Sequence, residues 1–346
     1  MIRGFLTKPL GPAAFCAVLL AVALILFAIP YPPPGDAKRL VQIERTDARI
    51  AIVGPSTIFY TSICDQDTRT VPQMLSDYTG LKVLDMSVGG QPLIDSVDLS
   101  ALASRSGTIT DIVLPIAYPQ IDDWSTPPYR KMLFFKAAVP GFSVHAAPDF
   151  EAFWSGITGK PRRLENGFTF EGTTYPDYRG LTAKFQTEKD AMRCPEPFTH
   201  DLRFTRAYYW WTHIANGTGA QFYDLIGDLG RGLAARGKRL HVVVLPTNRD
   251  ILASLQPEWP AQVAARQKAL VDGLSARGLD VLDLSGQFRA AEFSGQWCAC
   301  THLSESGRRH LTQAIAARIG APVRSGREEP RRVTMLTQTQ PPEVRR

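Results

Sequence analysis

The sequence predicts an α/β fold: a doubly wound, mainly five-stranded parallel sheet in a three-layer sandwich, with an N-terminal transmembrane helix and a long insertion between strands three and four. Three observations predict it. The runs "RIAIVG" (49–54), "LKVLDMS" (81–87), "DIVLPIA" (111–117), "RLHVVVLP" (239–246) and "LDVLDLS" (279–285) are mostly apolar on both faces, as parallel strands covered by helices on either side are. Amphipathic stretches alternate with several of these runs, which is the pattern of a parallel α/β sheet. The third and fourth runs stand about 120 residues apart, far more than one crossover helix requires.

Taken in order, the chain opens with an uncharged apolar run from Phe15 to Pro30, behind Arg3 and Lys8. Its length is near the minimum for a bilayer span, and no convincing A-x-A cleavage site follows it. Residues 1–30 therefore read as an uncleaved anchor with Arg3 and Lys8 on the cytoplasmic side, and 31–47, opening "YPPPGD", as a linker. The α/β domain is expected over 48–322, placed outside the cytoplasm in the periplasm or beyond. Within it, residues of about 123–200 are rich in aromatics, Pro and Gly without a steady period, and read as the insertion. Phe222, Leu225, Ile226, Leu229 and Leu233 form one helical stripe; Val263, Leu270, Val271 and Leu274 form another. A last helix is expected to start at a Ser304 N-cap and to carry Leu311, Ile315 and Ile319. The tail 323–346 has no apolar face and reads as disordered.

The net charge of +6 does not indicate a nucleic-acid partner. Arg3 and Lys8 supply two units and the tail from Val323 a net three, leaving about +1 for everything between. Cys16 falls in the apolar run, so Cys64, Cys194, Cys298 and Cys300 are the disulfide candidates of the exported part; four cysteines allow three complete pairings. Cys298-Ala299-Cys300 lacks the C-x-x-C spacing of a zinc site, and neither a metal nor a cofactor is expected.

Ligands of an open α/β sheet gather at the carboxyl ends of its strands. Ser56 follows the first strand, Gly89-Gly90 the second, Tyr118-Pro119-Gln120 the third, Pro246-Thr247-Asn248 the fourth and the loop with His302 the fifth, so all belong to one rim. A serine hydroxyl attacks an acyl carbonyl only with a base nearby, and a neutral imidazole such as His302 can take its proton. The backbone N–H groups of Ser56 and Gly90 are candidates for the oxyanion hole. The bland reading of Ser56 is a helix N-cap after a strand.

The segments "VGPSTIFYTSICDQDT", "VLDMSVGGQPL" and "THLSESGRRHL" resemble the first, second and last sequence blocks of the SGNH/GDSL hydrolase superfamily. The resemblance implies Ser56 as nucleophile, Gly90 as an oxyanion contributor and His302 as base. It also implies an SGNH- or flavodoxin-like sandwich. Three departures stand out: Pro55 where the family has Asp, no Asn in "IAYPQIDDW", and Ala299 where the Asp three residues before the His is usual. Gln120 is the candidate replacement for the Asn, since Y-P-Q is similar to the S-P-Q of the membrane-anchored D-alanyl transfer proteins of teichoic acid systems. Asp65, Asp67 and Asp283 are the candidate acids to orient His302. Cys64 lies eight residues after Ser56, while Cys298 and Cys300 lie just before His302, so a bridge from Cys64 to either is expected to tie the two segments.

The expected protein is a membrane-anchored SGNH-like serine esterase or O-acyltransferase. Its expected partners are an acylated envelope or exported polysaccharide, the membrane through the N-terminal helix, and, for a transferase, a membrane acyl-donor protein. The alternative is a catalytically degenerate SGNH-fold binding or scaffolding subunit of an envelope polysaccharide assembly.

Overall fold

The computed structural model describes residues 17, 34–62, 64–88, 93–117, 169–174, 206–207, 209–210, 214, 220–294 and 302–320. In chain order the elements are α1 (Pro34–Arg45), β1 (Ile50–Ile52), the single turn α2 (Ser56–Phe59), α3 (Val71–Thr79), β2 (Val83–Asp85), α4 (Leu93–Ala103) and β3 (Asp111–Ile116). There follow a small hairpin of β4 (Thr169–Phe170) and β5 (Thr173–Thr174), then α5 (Ala220–Ala234), β6 (Arg239–Val244), α6 (Arg249–Leu255), α7 (Trp259–Ser275), β7 (Asp280–Asp283), a 3-10 turn (Ala290–Glu292) and α8 (Glu305–Arg318).

The main sheet has five strands in the order β2-β1-β3-β6-β7, every pair parallel. The fold class read from the apolar runs is therefore present, with each strand shorter than the run that contains it. Alternation within the strands separates two cores. Ala51, Ile112, Leu114, Val242 and Val244 face one cluster with Ile43, Leu102, Ile226 and Leu270. Ile50, Ile52, Val113 and Val243 face the other, with Val71, Leu75, Leu311 and Ile315. Thus α1, α4, α5 and α7 cover one face and α3 and α8 the other, and the sheet is wound on both sides.

The N-terminal expectations fare differently. The stretch assigned to a linker contains the twelve-residue helix α1. Ile43 is fully buried in the first core and Leu40 packs against it, while Glu44 pairs with Arg105 at 2.9 Å, which is why this segment docks. Among the described residues no helix is long and apolar enough to cross a membrane. The anchor run Phe15–Pro30, apart from residue 17, lies outside them, as do most of 123–200 and all of the tail 323–346.

At the amino ends of β3 and β6, opposite the rim that bears Ser56, the buried Asp111 and His241 form a charge cluster with the exposed Arg239 and the partly exposed Asp280 that ties β3 to β6. His241 donates from Nε2 to Asp111 Oδ1 at 2.8 Å, Arg239 pairs with Asp111 at 2.8 Å, and Thr110 donates to it at 2.7 Å. The other His241 nitrogen stands 3.4 Å from Asp280, within ion-pair range without a formed hydrogen bond. Burial alone would raise the Asp111 pKa, but the hydrogen bonds from His241, Arg239 and Thr110 outweigh it and hold the group at about 2, below 3.8. A carboxylate depressed on folding adds stability that is complete above its unfolded pKa and is lost as pH falls through the folded value. Urea unfolding should therefore show about 2 kcal/mol of stability disappearing between roughly pH 4 and pH 2, and Asp111→Asn should remove that acid-sensitive portion.

Candidate active site

Ser56 sits where the sheet order reverses. After β1 the chain passes to β2 on one side and then crosses to β3 on the other, so the carboxyl end of β1 is a topological switch point, the place where open α/β sheets hold ligands. The turn there is made by close packing. A Cβ on Gly54 would stand 3.2 Å from both Pro115 and Ile58, so a glycine lets the chain leave β1 tightly against β3. Pro55 occupies the N-cap of α2, and Ser56 is its first helical residue. The hydroxyl does not cap the helix. Ser56 Oγ instead lies 3.0 Å from His302 Nε2. The bland N-cap reading is thereby replaced by a serine–imidazole pair that spans 246 residues of sequence.

His302 is buried to 6% exposure and Ser56 is half-buried. For Nε2 to accept the serine proton, the imidazole must carry its own proton on Nδ1. Tyr60, four residues beyond Ser56, stacks on the imidazole with ring centres 4.1 Å apart and planes 11° apart, and its N–H donates to the Ser56 carbonyl at 2.7 Å. The sequence reading missed Tyr60; its signal was an aromatic one helical turn after the candidate nucleophile. Stacking of this kind contributes about 0.5–1.5 kcal/mol, so Tyr60→Ala should cost roughly three- to tenfold in acyl turnover, and Tyr60→Phe should restore it. Equal losses in both variants would show that the ring face is not what matters.

The loop that carries His302 is closed at its base. Ser294 N–H donates to the His302 carbonyl at 3.0 Å, Phe293 and Leu303 form an antiparallel bridge, and Ser304 N–H donates to the Glu292 carbonyl at 2.9 Å. Gly307 is required at this junction, because a Cβ there would fall 2.0 Å from the Glu292 carbonyl oxygen. Ser304 caps α8 as the sequence predicts, accepting from Gly307 N–H at 3.4 Å.

The three acids nominated to orient His302 do other work, and none of them is hydrogen-bonded to it. Asp65 accepts from Ser62 N–H at 2.8 Å, from Glu305 N–H at 3.1 Å and from Arg308 at 2.5 Å. Asp67 accepts from the Arg69 guanidinium at 2.5 Å and pairs with Arg309 at 3.5 Å. Burial works against its charge, but the Arg69 hydrogen bonds prevail and keep its pKa below the ordinary value. Asp283 is exposed and accepts from Ser285 N–H at 3.0 Å. For Asp65 the physical reason is the fully buried Arg308, which donates to its carboxylate and to the carbonyls of Arg69 and Asp67. Glu305 in turn accepts from the backbone of Gln66 and Asp67. Asp65 and Asp67 thus clamp the segment leaving the nucleophile onto the first turn of α8.

Gly90, Gln120, Cys194, Cys298 and Cys300 lie outside the described residues. Val88 N–H donates to the Gly54 carbonyl at 3.0 Å, which brings the start of the "GG" loop beside the nucleophile turn. The Ser56 N–H, at the first position of α2, donates to no backbone acceptor among the described residues. Cys64 is disulfide-bonded, and its partner lies outside the described residues. Because Asp65 holds the first residue of α8, we expect non-reducing peptide maps to join Cys64 to Cys298 or Cys300. Recovery of a Cys64–Cys194 peptide would refute that pairing.

Residues 208–344 match the family described as "SGNH hydrolase-like domain, acetyltransferase AlgX". The matched range contains His302 and not Ser56. Together with the parallel sheet and the Ser56–His302 pair, this match supports membership of the chain in the SGNH/GDSL hydrolase superfamily, and with it an acyl esterase or acetyltransferase kind of protein. No curated protein matches the chain. Among solved structures, a lipase/acylhydrolase from Enterococcus faecalis is 11% identical with a TM-score of 0.36, over 80% of this chain and 98% of its own. An acetyl-xylooligosaccharide esterase from Geobacillus Stearmophilus, in mutant form, is 11% identical with a TM-score of 0.37, over 81% of this chain and 97% of its own. A Streptococcus pneumonia protein whose structure is named for a platelet activating factor is 11% identical with a TM-score of 0.40, over 88% and 98%. At these scores nothing further rests on the structural likenesses.

Proposed function

We propose that this protein is a membrane-anchored serine esterase or O-acyltransferase acting, outside the cytoplasm, on acetyl or related acyl esters of a cell-envelope or exported polysaccharide. The observation that carries the catalytic part is the 3.0 Å contact between Ser56 Oγ and His302 Nε2 at the switch point of the sheet. The acetyl group is favoured by the family match, and the membrane by the apolar run from Phe15 to Pro30.

In this mechanism His302 Nε2 removes the hydroxyl proton as Ser56 Oγ bonds to the ester carbonyl carbon. The N–H groups of Ser56 and Gly90 stabilise the resulting oxyanion. The imidazolium returns its proton to the departing alcohol as the ester bond breaks, leaving an acylated Ser56. Water or a sugar hydroxyl then attacks the acyl carbonyl with His302 again as base, releasing a carboxylic acid or a new sugar ester and restoring the serine. A degenerate scaffold has no need to hold a hydroxyl and an imidazole in this contact, so the enzymatic reading is preferred.

The test uses the purified full-length protein, an aryl acetate donor and an oligosaccharide acceptor. Release of the aryl alcohol is expected, with acetyl found on the sugar for a transferase or as free acetate for an esterase. Absence of release, acetate and acetylated sugar alike would reject the reading. Fractionation with membranes and an intact N-terminus are expected for the anchor; a mature N-terminus between Ala28 and Leu40 would remove it.

A further inference from the structure

The direction of α1 decides which end of the sheet stands nearer the apolar run that precedes it. The carboxyl end of α1 is fixed by three contacts: Glu44 pairs with Arg105 at 2.9 Å, the Thr46 carbonyl accepts from Thr108 Oγ1 at 2.9 Å, and Asp47 pairs with Lys82. Arg105 and Thr108 lie between α4 and β3, and Lys82 precedes β2, so all three belong to the end of the sheet opposite Ser56. Leu40 and Ile43, one helical turn apart, both pack on the first core, so α1 lies along that face and does not project from it. Residues 46–49 then turn the chain into β1, which makes α1 antiparallel to that strand and points its amino end toward the Ser56 rim.

The lengths involved restrict the orientation of the domain. Pro34 stands about 16 Å back along the helix from Arg45. The rise from Arg49 to Ser56 is roughly 20 Å at strand spacing. The chain from Pro30, where the apolar run ends, to Pro34 spans at most about 14 Å. An anchor over Phe15–Pro30 therefore meets the domain close to the level of the Ser56 rim. Turning the domain over would lift Pro34 about 16 Å or more off the bilayer, which a tether of at most about 14 Å does not cover. Laying α1 flat is disfavoured too, because its exposed face carries Lys38, Gln42, Glu44 and Arg45 around one exposed apolar side chain, Val41.

We propose that the rim bearing Ser56 faces the bilayer that holds the anchor, with the end of the sheet that carries Asp111 and His241 pointing away from it. The partner of this surface is the lipid headgroup layer. The proposal rests on the anchor in the function proposed above and not on its catalytic step. Substrates then reach Ser56 at the membrane surface rather than at the far pole of the domain.

The experiment reads depth without turnover. Full-length protein carrying a genetically encoded fluorescent amino acid in place of Gln287 or of Ala276 is reconstituted into vesicles of phosphatidylethanolamine and phosphatidylglycerol, a fraction of whose headgroups bear a nitroxide quencher. Both positions are exposed on one edge of the sheet; Gln287 follows β7 on the Ser56 rim, and Ala276 precedes β7 at the opposite end. The label at position 287 is expected to be quenched several-fold more strongly than the label at 276. Equal quenching, or stronger quenching at 276, overturns the proposal. A flexible Gly/Ser spacer inserted between Pro33 and Pro34 is expected to abolish the difference, and a difference that survives it would overturn the short tether as the cause. Protein that fails to float with the vesicles would refute the anchor and the orientation together, whereas floating protein with the wrong order of quenching refutes the orientation alone.

Discussion

Ser56→Ala lowers turnover of an activated acetyl ester by roughly 10³- to 10⁶-fold, the range seen when a serine–histidine pair loses its nucleophile. The expectation follows from geometry: Ser56 Oγ is the hydroxyl in contact with the buried His302 imidazole. Because the two residues act as one unit, His302→Ala should cost about as much, and the double variant little more than either. Steady-state kinetics on the three variants checks this. Losses that multiply would mean that serine and histidine serve independent steps.

Arg308→Met destabilises the fold by about 3–5 kcal/mol, the cost of stranding a buried carboxylate without its cation. Arg308 is fully buried and meets Asp65 at 2.5 Å, and the same guanidinium satisfies the carbonyls of Arg69 and Leu303. Its removal leaves a buried charge and orphaned acceptors at the joint between the nucleophile segment and α8. Urea unfolding should show the loss in the midpoint with little change in slope. Replacing Asp65 by Leu in the same chain should recover part of it, since no unpaired charge then remains. Full stability in Arg308→Met alone would mean that the clamp contributes nothing.

These two residues also mark what the sequence can and cannot reveal. The five strands are legible because Ile50, Val113 and Val243 pack one core while Ala51, Ile112 and Val242 pack the other, and a strand with both faces buried must be apolar throughout. Ser304 is legible because helix capping is local. Ser56 and His302 are legible through short motifs that place both on one rim. Arg308 is not. It stands beside Arg309 on an amphipathic helix, where a charged residue ordinarily faces water, and only tertiary packing against residues 65–69 makes it a core residue. For the same reason the sequence places Asp65 and Asp67 near Ser56 but does not show the partners their segment selects across more than two hundred residues, Arg308 and Glu305. The helix α1 was hidden behind prolines and charges, since Ile43 and Leu40 give it a narrow apolar contact that only the facing α4 explains.

The central claim is that Ser56 is a nucleophile activated by His302. Its most direct measurement is active-site labelling of the full-length protein with a fluorophosphonate, followed by peptide mass spectrometry. The predicted result is one adduct on Ser56, strongly suppressed in His302→Ala protein that remains folded. Labelling that persists undiminished in Ser56→Ala, or that maps to another residue, would contradict it.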